Sequence, residues 1–226
     1  MQNIDTHLSL TEEDYLKAIF HLSDNDFTKG ISTNDIAKKI DISAASVSDM
    51  IKKLSQKGMI DYIKYQGVSL TEAGKKQALY VVRKHRLWET FLVEKLKFSW
   101  DEIHEVAEQL EHIDSQLLIK RLDEFLNYPE FDPHGDPIPN EKGEIVKIKR
   151  ITLNNAPLRD NLKVVAVEET SPLFLKHLNK IRINIGTIIK VLEKSEYDGS
   201  LEVEIDNQRI MMISKDVAEN LYVAKK

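Results

Sequence analysis

Residues 33–58, TNDIAKKIDISAASVSDMIKKLSQKG, decide how the first third of the chain is read. Thr33 is placed to cap a short helix that carries Ile36, Ala37 and Ile40 on one side. Asp41, Ile42 and Ser43 break the pattern, and from Ala44 to Lys57 the apolar residues Val47, Met50, Ile51 and Leu54 return at helical spacing. Gly58 supplies the left-handed residue with which such helices end. Short helix, tight turn, longer helix and glycine stop together give helix-turn-helix spacing. The continuation MIDYIKYQGVSLTEAGK alternates apolar and polar residues around Gln66 and Gly67, which predicts a β-hairpin and completes a winged helix.

Working outward, Tyr15, Leu16, Ile19, Phe20 and Leu22 recur at helical spacing after Thr11, Glu12 and Glu13, predicting a helix over 10–23. Thr71 to about Lys97 reads as a long helix with Lys75, Lys76, Arg83, Lys84 and Arg86 on its first part. Ser99 and Glu102 have capping-box spacing and predict a helix start, and Asp114 can cap a further helix running to Leu126. Pro129, Pro133, Pro137 and Pro139 then punctuate a loop. Beyond a linker near 150–160 the character is β. The runs Val164–Val167, Ile185–Val191, Leu201–Ile205 and Arg209–Ile213, with turns at Asp198-Gly199 and Asp206-Asn207, fit a five-stranded SH3-like barrel. The fold class is mainly α with a small β domain.

Composition narrows the chemistry. The 226 residues are 42% hydrophobic and 31% charged, as in an ordinary folding chain of two or three small units. There is no cysteine, so disulfides, thiolate metal sites and cysteine nucleophiles are excluded, and any metal must be held by oxygen and imidazole. The net charge of −5 is unevenly spread: residues 1–97 sum to +2 and residues 98–150 to −7. An acidic centre suits a cation better than a phosphate backbone. MQNIDTHLSLTEEDYL has neither a basic nor an apolar leader pattern, and no apolar run approaches the roughly 18 residues of a bilayer span, so a cytoplasmic protein without membrane contact is expected.

His104, Glu108, Glu111 and His112 fall at offsets that form one stripe on a helix, beside an apolar face of Ile103, Val106, Ala107, Leu110 and Ile113. His85 and Glu89 are i, i+4 neighbours on the preceding helix, and Asp14 stands where the apolar face of the first helix begins. Three helices can thus point carboxylates and imidazoles into shared spaces. Each residue taken singly is equally a solvated polar group; as a set they have the donor chemistry of a metal site.

The runs EDYLKAIFHL, ISAASVSDMIKKLSQKGMI, LTEAGKKQA, RKHRLWETFL, HEVAEQLEHID and DPHGDPIP resemble the diphtheria toxin repressor family, which includes manganese transport regulators. The resemblance covers residues 10 to about 140, and extends through IRINIGTIIKV and IMMISKDVAENLYV to a C-terminal FeoA-type domain. It implies a winged-helix DNA-binding domain at 1–72, a helical metal-binding and dimerisation domain at 73–150, and an SH3-like domain at 151–226. It further implies a homodimeric, metal-dependent repressor of metal-uptake genes that binds double-stranded DNA at a palindromic operator. Asp14, Glu108, Glu111 and His112 correspond to the activating site. His85, Glu89 and His104 correspond to a second site, to which Glu168 of the C-terminal domain is the nearest candidate for an added ligand. Lys17 stands where manganese regulators place a glutamate that builds a paired-metal centre, so two separate mononuclear sites are expected.

Iron-responsive relatives use a sulfur-bearing pair where this chain has Asp14 and Glu108. Hard oxygen ligands suit Mn(II), with Fe(II) the alternative. On the DNA side, Thr33, Lys53 and Lys64 are expected at phosphates. Ser43, Ala45, Ser46 and Asp49 are expected near base edges, on an outer face that also carries Ser48 and Lys52. Ser43 is equally suited to be a helix cap, and Asp49 either accepts from a cytosine amino group or repels wrong sequences. A metal-dependent hydrolase is the rival reading, but the chain has no Gly-rich phosphate loop, no GxSxG and no HExxH. A third reading keeps DNA binding and makes the metal structural.

Overall fold

The computed structural model describes residues 8–23, 27, 30–63, 66–147 and 149–225. The chain divides into two compact units. The first comprises Met1–His85, Gln109–Gln116 and Pro139–Glu144; the second comprises Arg86–Glu108, Leu117–Ile138 and Ile145–Lys226.

The first unit is built on α1 (Leu10–Leu22), α2 (Thr33–Lys39), α3 (Ala44–Gln56) and the hairpin β1 (Ile60–Ile63) and β2 (Gly67–Leu70). α1 starts one residue after Ser9, whose hydroxyl accepts from the Glu12 amide while the Glu12 carboxylate accepts from the Ser9 amide. This is a full capping box, from the S-x-x-E at 9–12. α2 is capped by Ser32 rather than Thr33, which is the first helical residue. Ser32 accepts from the Asp35 amide, the position two residues into the turn where an orphan N–H needs a partner. α3 is capped by Ser43 and ends as expected: Gly58 has φ +69°, and the Met59 amide reaches back to the Leu54 carbonyl at 2.9 Å.

Leu16, Ile19, Ile36, Val47, Ile51, Leu54, Ile60 and Val68 form the buried faces of these elements. Each such aliphatic side chain stabilises the fold by about 1.5–3 kcal/mol relative to exposure. The hairpin is antiparallel, Ile60 opposite Leu70 and Ile63 opposite Gly67, and Ile31 adds a bridge to Val68. Gly67 needs its glycine: it has φ +104°, and a β-carbon there would stand 2.7 Å from the Ile31 carbonyl oxygen.

α4 (Glu72–Glu94) is the long helix expected after the wing. α5 (His104–Leu110) begins later than Ser99 predicted. Glu102 does accept from the Ser99 amide, but the Ser99 hydroxyl turns to Asp101, so residues 100–103 form turns before the helix starts. Glu111 and His112 consequently lie just past the end of α5. α6 (Gln116–Phe125) ends three residues before Tyr128, with Asn127 and Tyr128 both at positive φ.

In the second unit β3 (Ile151–Thr152), β4 (Leu162–Val167), β5 (Ile188–Lys194), β6 (Leu201–Ile205), β7 (Arg209–Ile213) and β8 (Leu221–Lys225) form one antiparallel sheet in the order β3-β8-β4-β5-β6-β7. The small β domain of SH3-like type is as expected, with six strands rather than five. The extra short strand comes from 150–160, which is no bare linker: Leu153 sits in a 3-10 turn and is fully buried. Asp206 and Asn207, at φ 51° and 56°, make the β6–β7 hairpin turn. α7 (Pro172–Lys180) and α8 (Lys215–Glu219) were not anticipated; each starts at a serine cap, Ser171 and Ser214. Leu162, Val164, Leu175, Leu178, Ile189, Val203 and Leu221 lie in one buried core, with Trp100 packed against it.

Candidate metal site and nucleic-acid interface

α3 presents its polar face outward. Ser43, Ala45, Ser46, Ser48, Asp49, Lys52 and Lys53 are all exposed. Ser43 is engaged as the cap, accepting from the Ser46 amide at 3.2 Å, with the two hydroxyls 3.0 Å apart. Ser48 donates to the Ala44 carbonyl at 2.9 Å, and Asp49 pairs with Lys52 at 3.2 Å. Thr33 is half-buried at the start of α2, and Lys64 lies outside the described residues.

Behind this face, α1 grips α3 through Glu12. This carboxylate is fully buried, with Lys57 Nζ 2.9 Å from Oε2 and Lys53 Nζ 3.2 Å from Oε1. Burial works against its ionisation, but the Ser9 amide and the two lysines outweigh burial and hold the carboxyl down at about 2. The sequence reading placed Glu12 only as a helix-start residue. The S-x-x-E box and the Lys53/Lys57 pair at the end of α3 were the available signals.

The next two residues of α1 face the end of α5, within the same unit. His112 Nδ1 is 2.8 Å from Glu13 Oε2, and its Nε2 is 3.1 Å from Asp14 Oδ1 and 3.8 Å from Glu111 Oε1. Asp14, Glu111 and His112 each offer one donor atom, all within 4.8 Å of one another. Glu13 was not singled out from sequence. With Nδ1–H donating to Glu13, the Nε2 lone pair is turned to the side of Asp14 and Glu111, the arrangement by which a carboxylate orients a ligating imidazole.

Glu111 is fully buried and engaged on both oxygens, Oε1 by Lys17 Nζ at 2.6 Å and Oε2 by His85 Nδ1 at 2.5 Å. Burial disfavours its charge, but the His85 bond and the Lys17 ammonium prevail and keep the carboxyl below its ordinary range. A second ammonium, that of buried Lys84, is 3.4 Å from Glu13. Arg83, read as one of a basic run, is buried and donates to the Pro139 carbonyl at 2.5 Å.

The second unit holds Glu108, Glu89, His104 and Glu168. Glu108, an exposed side chain, lies 3.4 Å from His104 Nε2, and Glu89, a buried one, lies 3.6 Å from His104 Nδ1. The Glu108 bond, then the Glu89 bond, push His104 up to about 9 against the effect of burial. His134, which the sequence offered only as a loop histidine, is 2% exposed. Its Nε2 is 2.9 Å from the Trp100 carbonyl oxygen and its Nδ1 is 3.7 Å from Glu89 Oε1. Asp132 completes a buried group of donors with Glu89 and His134. Arg86 lies 3.4 Å from Asp132 and donates to the Pro137 carbonyl at 2.6 Å. Burial first, then the Glu89 charge, raise Asp132 to about 7, against Arg86.

Gly135 makes this loop possible, because a β-carbon there would stand 1.9 Å from the Val165 carbonyl oxygen. The Val167 amide donates to the His134 carbonyl at 3.0 Å, which sets exposed Glu168, just past the end of β4, next to that bond. Proline spacing marked the loop, but nothing in the linear pattern joined Asp132 and His134 to Glu89, about 45 residues earlier by chain spacing alone.

Comparison with known proteins gives three matching family descriptions in tandem. They are the iron-dependent repressor N-terminal DNA-binding domain at 7–68, the iron-dependent repressor metal-binding and dimerisation domain at 71–140, and the FeoA domain at 139–225. The iron-dependent repressor IdeR of Mycobacterium tuberculosis is 35% identical over 129 residues, 57% of this chain. The chain spans 55% of the length of that relative. The diphtheria toxin repressor of Corynebacterium glutamicum is 27% identical over 198 residues, covering 81% of this chain and 84% of the relative. Among solved structures, a manganese-dependent transcriptional repressor in complex with manganese is 33% identical, covering 95% of this chain and 100% of its own, with a TM-score of 0.84. The manganese regulator SloR is 36% identical, covering 95% and 98%, with a TM-score of 0.76. No helix among the described residues is long and apolar enough to cross a membrane.

Proposed function

Because the chain belongs to the iron-dependent repressor family, we propose that it is a repressor that binds operator DNA when a divalent metal, Mn(II) before Fe(II), fills the Asp14, Glu111 and His112 group. The family is one of DNA-binding regulators, and the hydrolase reading lapses with it. The observation that carries the metal reading is the convergence of Asp14, Glu111 and His112 with His112 oriented by Glu13. Two carboxylates and an imidazole, with no thiolate, fit a hard or borderline divalent ion. When bound, such an ion supplies positive charge and fixed ligand directions between α1 and the turn after α5. Glu108 is proposed as a fourth donor on the resemblance given above. His85, Glu89 and His104 are proposed to serve a second mononuclear site, with Glu168 as its added ligand. Glu89 also offers itself to Asp132 and His134.

The chain's own residues supply the coupling. Asp14 and Glu12 lie two residues apart on α1, one facing His112 and the other fastening Lys53 of α3 and Lys57, which caps its end. Ordering α1 therefore orders the reading helix, and metal and DNA affinities are reciprocally linked. Ala45, Ser46 and Asp49 are proposed at base edges. Lys53, Lys64 and the N-terminus of α2 at Thr33 are proposed at phosphates. A homodimer places two such heads on the half-sites of a palindrome. The working parts are 1–72 for DNA, 73–150 for metal and dimerisation, and 151–226 as the SH3-like domain. An electrophoretic mobility shift with operator DNA tests this: binding with Mn²⁺ and loss of binding with chelator are expected, and equal affinity in both overturns the metal switch.

A further inference from the structure

Lys17 follows Asp14 by three residues on α1, so both side chains lie on the same stretch of helix surface. Its Nζ is 2.6 Å from Glu111 Oε1, and that same oxygen is the one 3.8 Å from His112 Nε2. The Lys17 side chain is 13% exposed and that of Glu111 is 0% exposed. The Glu111 oxygen that faces His112 thus already carries a cation in a poorly solvated place. Other charges face the group: Glu13 on His112, His85 on the other Glu111 oxygen, and Lys84 against Glu13 at 3.4 Å. Lys84 touches a supporting carboxylate, whereas Lys17 touches a residue of the donor group itself.

We propose that Lys17 is a built-in competitor of the metal. Without a divalent ion, its ammonium supplies the counter-charge that a buried Glu111 requires, and so keeps the acidic group assembled. With an ion present, the ammonium must share Glu111 Oε1 or withdraw from it, and two positive charges a few ångströms apart repel. Lys17 therefore weakens metal binding at this site and raises the ion concentration at which it fills. The inference rests on the reading that Asp14, Glu111 and His112 bind metal.

The test is calorimetric titration of Mn²⁺ into the full chain carrying Glu89→Gln, which quiets the second group, with and without Lys17→Met. Lys17→Met is expected to bind one ion on the order of tenfold more tightly. It is also expected to melt at a lower temperature than its parent without metal and to recover that difference with saturating Mn²⁺. Lys17→Arg should keep the weaker affinity. Equal or weaker Mn²⁺ binding by a folded Lys17→Met chain overturns the proposal. If that chain does not fold without metal, Lys17→Gln, which keeps a donor on Glu111 but no charge, carries the same two outcomes. Failure of the parent to take up Mn²⁺ in a manner abolished by His112→Ala overturns the metal reading, and the Lys17 proposal with it. Binding by the parent with no gain in either Lys17 variant overturns the Lys17 proposal and leaves the metal reading standing.

Discussion

Glu12→Gln separates the charge that fastens α3 to α1 from the packing around it. The carboxyl is held at about 2 against an ordinary 4.5, despite burial, by the Ser9 amide, Lys57 and Lys53. At about 1.4 kcal/mol per pKa unit this corresponds to roughly 3 kcal/mol favouring the ionised folded form. Lys53 is 53% exposed, so its share is screened by solvent, and about 2 kcal/mol is the working figure. Glutamine keeps the shape and an acceptor for the Ser9 amide but pairs with neither lysine. The folded-state pKa is depressed, so the contribution is fully present above pH 4.5 and is lost as pH falls toward 2. Urea unfolding of the parent and Glu12→Gln chains at neutral pH should therefore differ by about 2 kcal/mol. The difference should shrink once the pH drops below the ordinary carboxyl value, because the unfolded parent then takes up the proton that the folded parent binds only near pH 2. A difference under about 0.5 kcal/mol at neutral pH, or one that persists unchanged in acid, refutes the assignment.

Three further outcomes are expected. His112→Ala should leave a folded chain with unaltered far-ultraviolet circular dichroism that no longer gains operator affinity from Mn²⁺; a lost fold would favour a structural metal instead. Lys53→Ala should weaken DNA binding about equally for specific and non-specific sequences and reduce the slope of log affinity against log salt by about 1, read by fluorescence anisotropy across a salt series. Leu117, Phe125 and Tyr128, on and just after α6, are 67%, 62% and 63% exposed. This apolar surface is proposed to be covered by a second copy, so Leu117→Asp with Phe125→Asp should give a monomer by light scattering, and an unchanged dimer would place the interface elsewhere.

The sequence alone determined the local elements whose cause is local. α3 with its Ser43 cap and Gly58 stop, the wing around Gly67, and the β6–β7 hairpin at Asp206-Asn207 follow from periodicity and turn chemistry within a dozen residues. Locally ambiguous signals were less decisive. Ser32 and Thr33 are both competent caps, and only the pairing with the Asp35 amide chose Ser32. Ser99-x-x-Glu102 has capping-box spacing, but its hydroxyl found Asp101 first and the helix started at His104.

His104, Glu108, Glu111 and His112 were legible as a stripe of residue types at helical spacing, and it was the resemblance to the diphtheria toxin repressor family that joined Asp14 to Glu108, Glu111 and His112 as one proposed site. What each does was decided by partners distant in the chain. Glu13 orients His112 across 99 residues, Lys17 reaches Glu111 across 94, and Glu12 reaches Lys57 across 45. His134 offers no linear pattern that marks it, yet it is buried beside Glu89 because Gly135 allows its loop to close against β4. Side-chain periodicity records which face of an element is buried. The identity of the charge opposite a buried carboxylate is recorded nowhere in the local pattern, because burial makes that partner necessary without saying where along the chain it comes from.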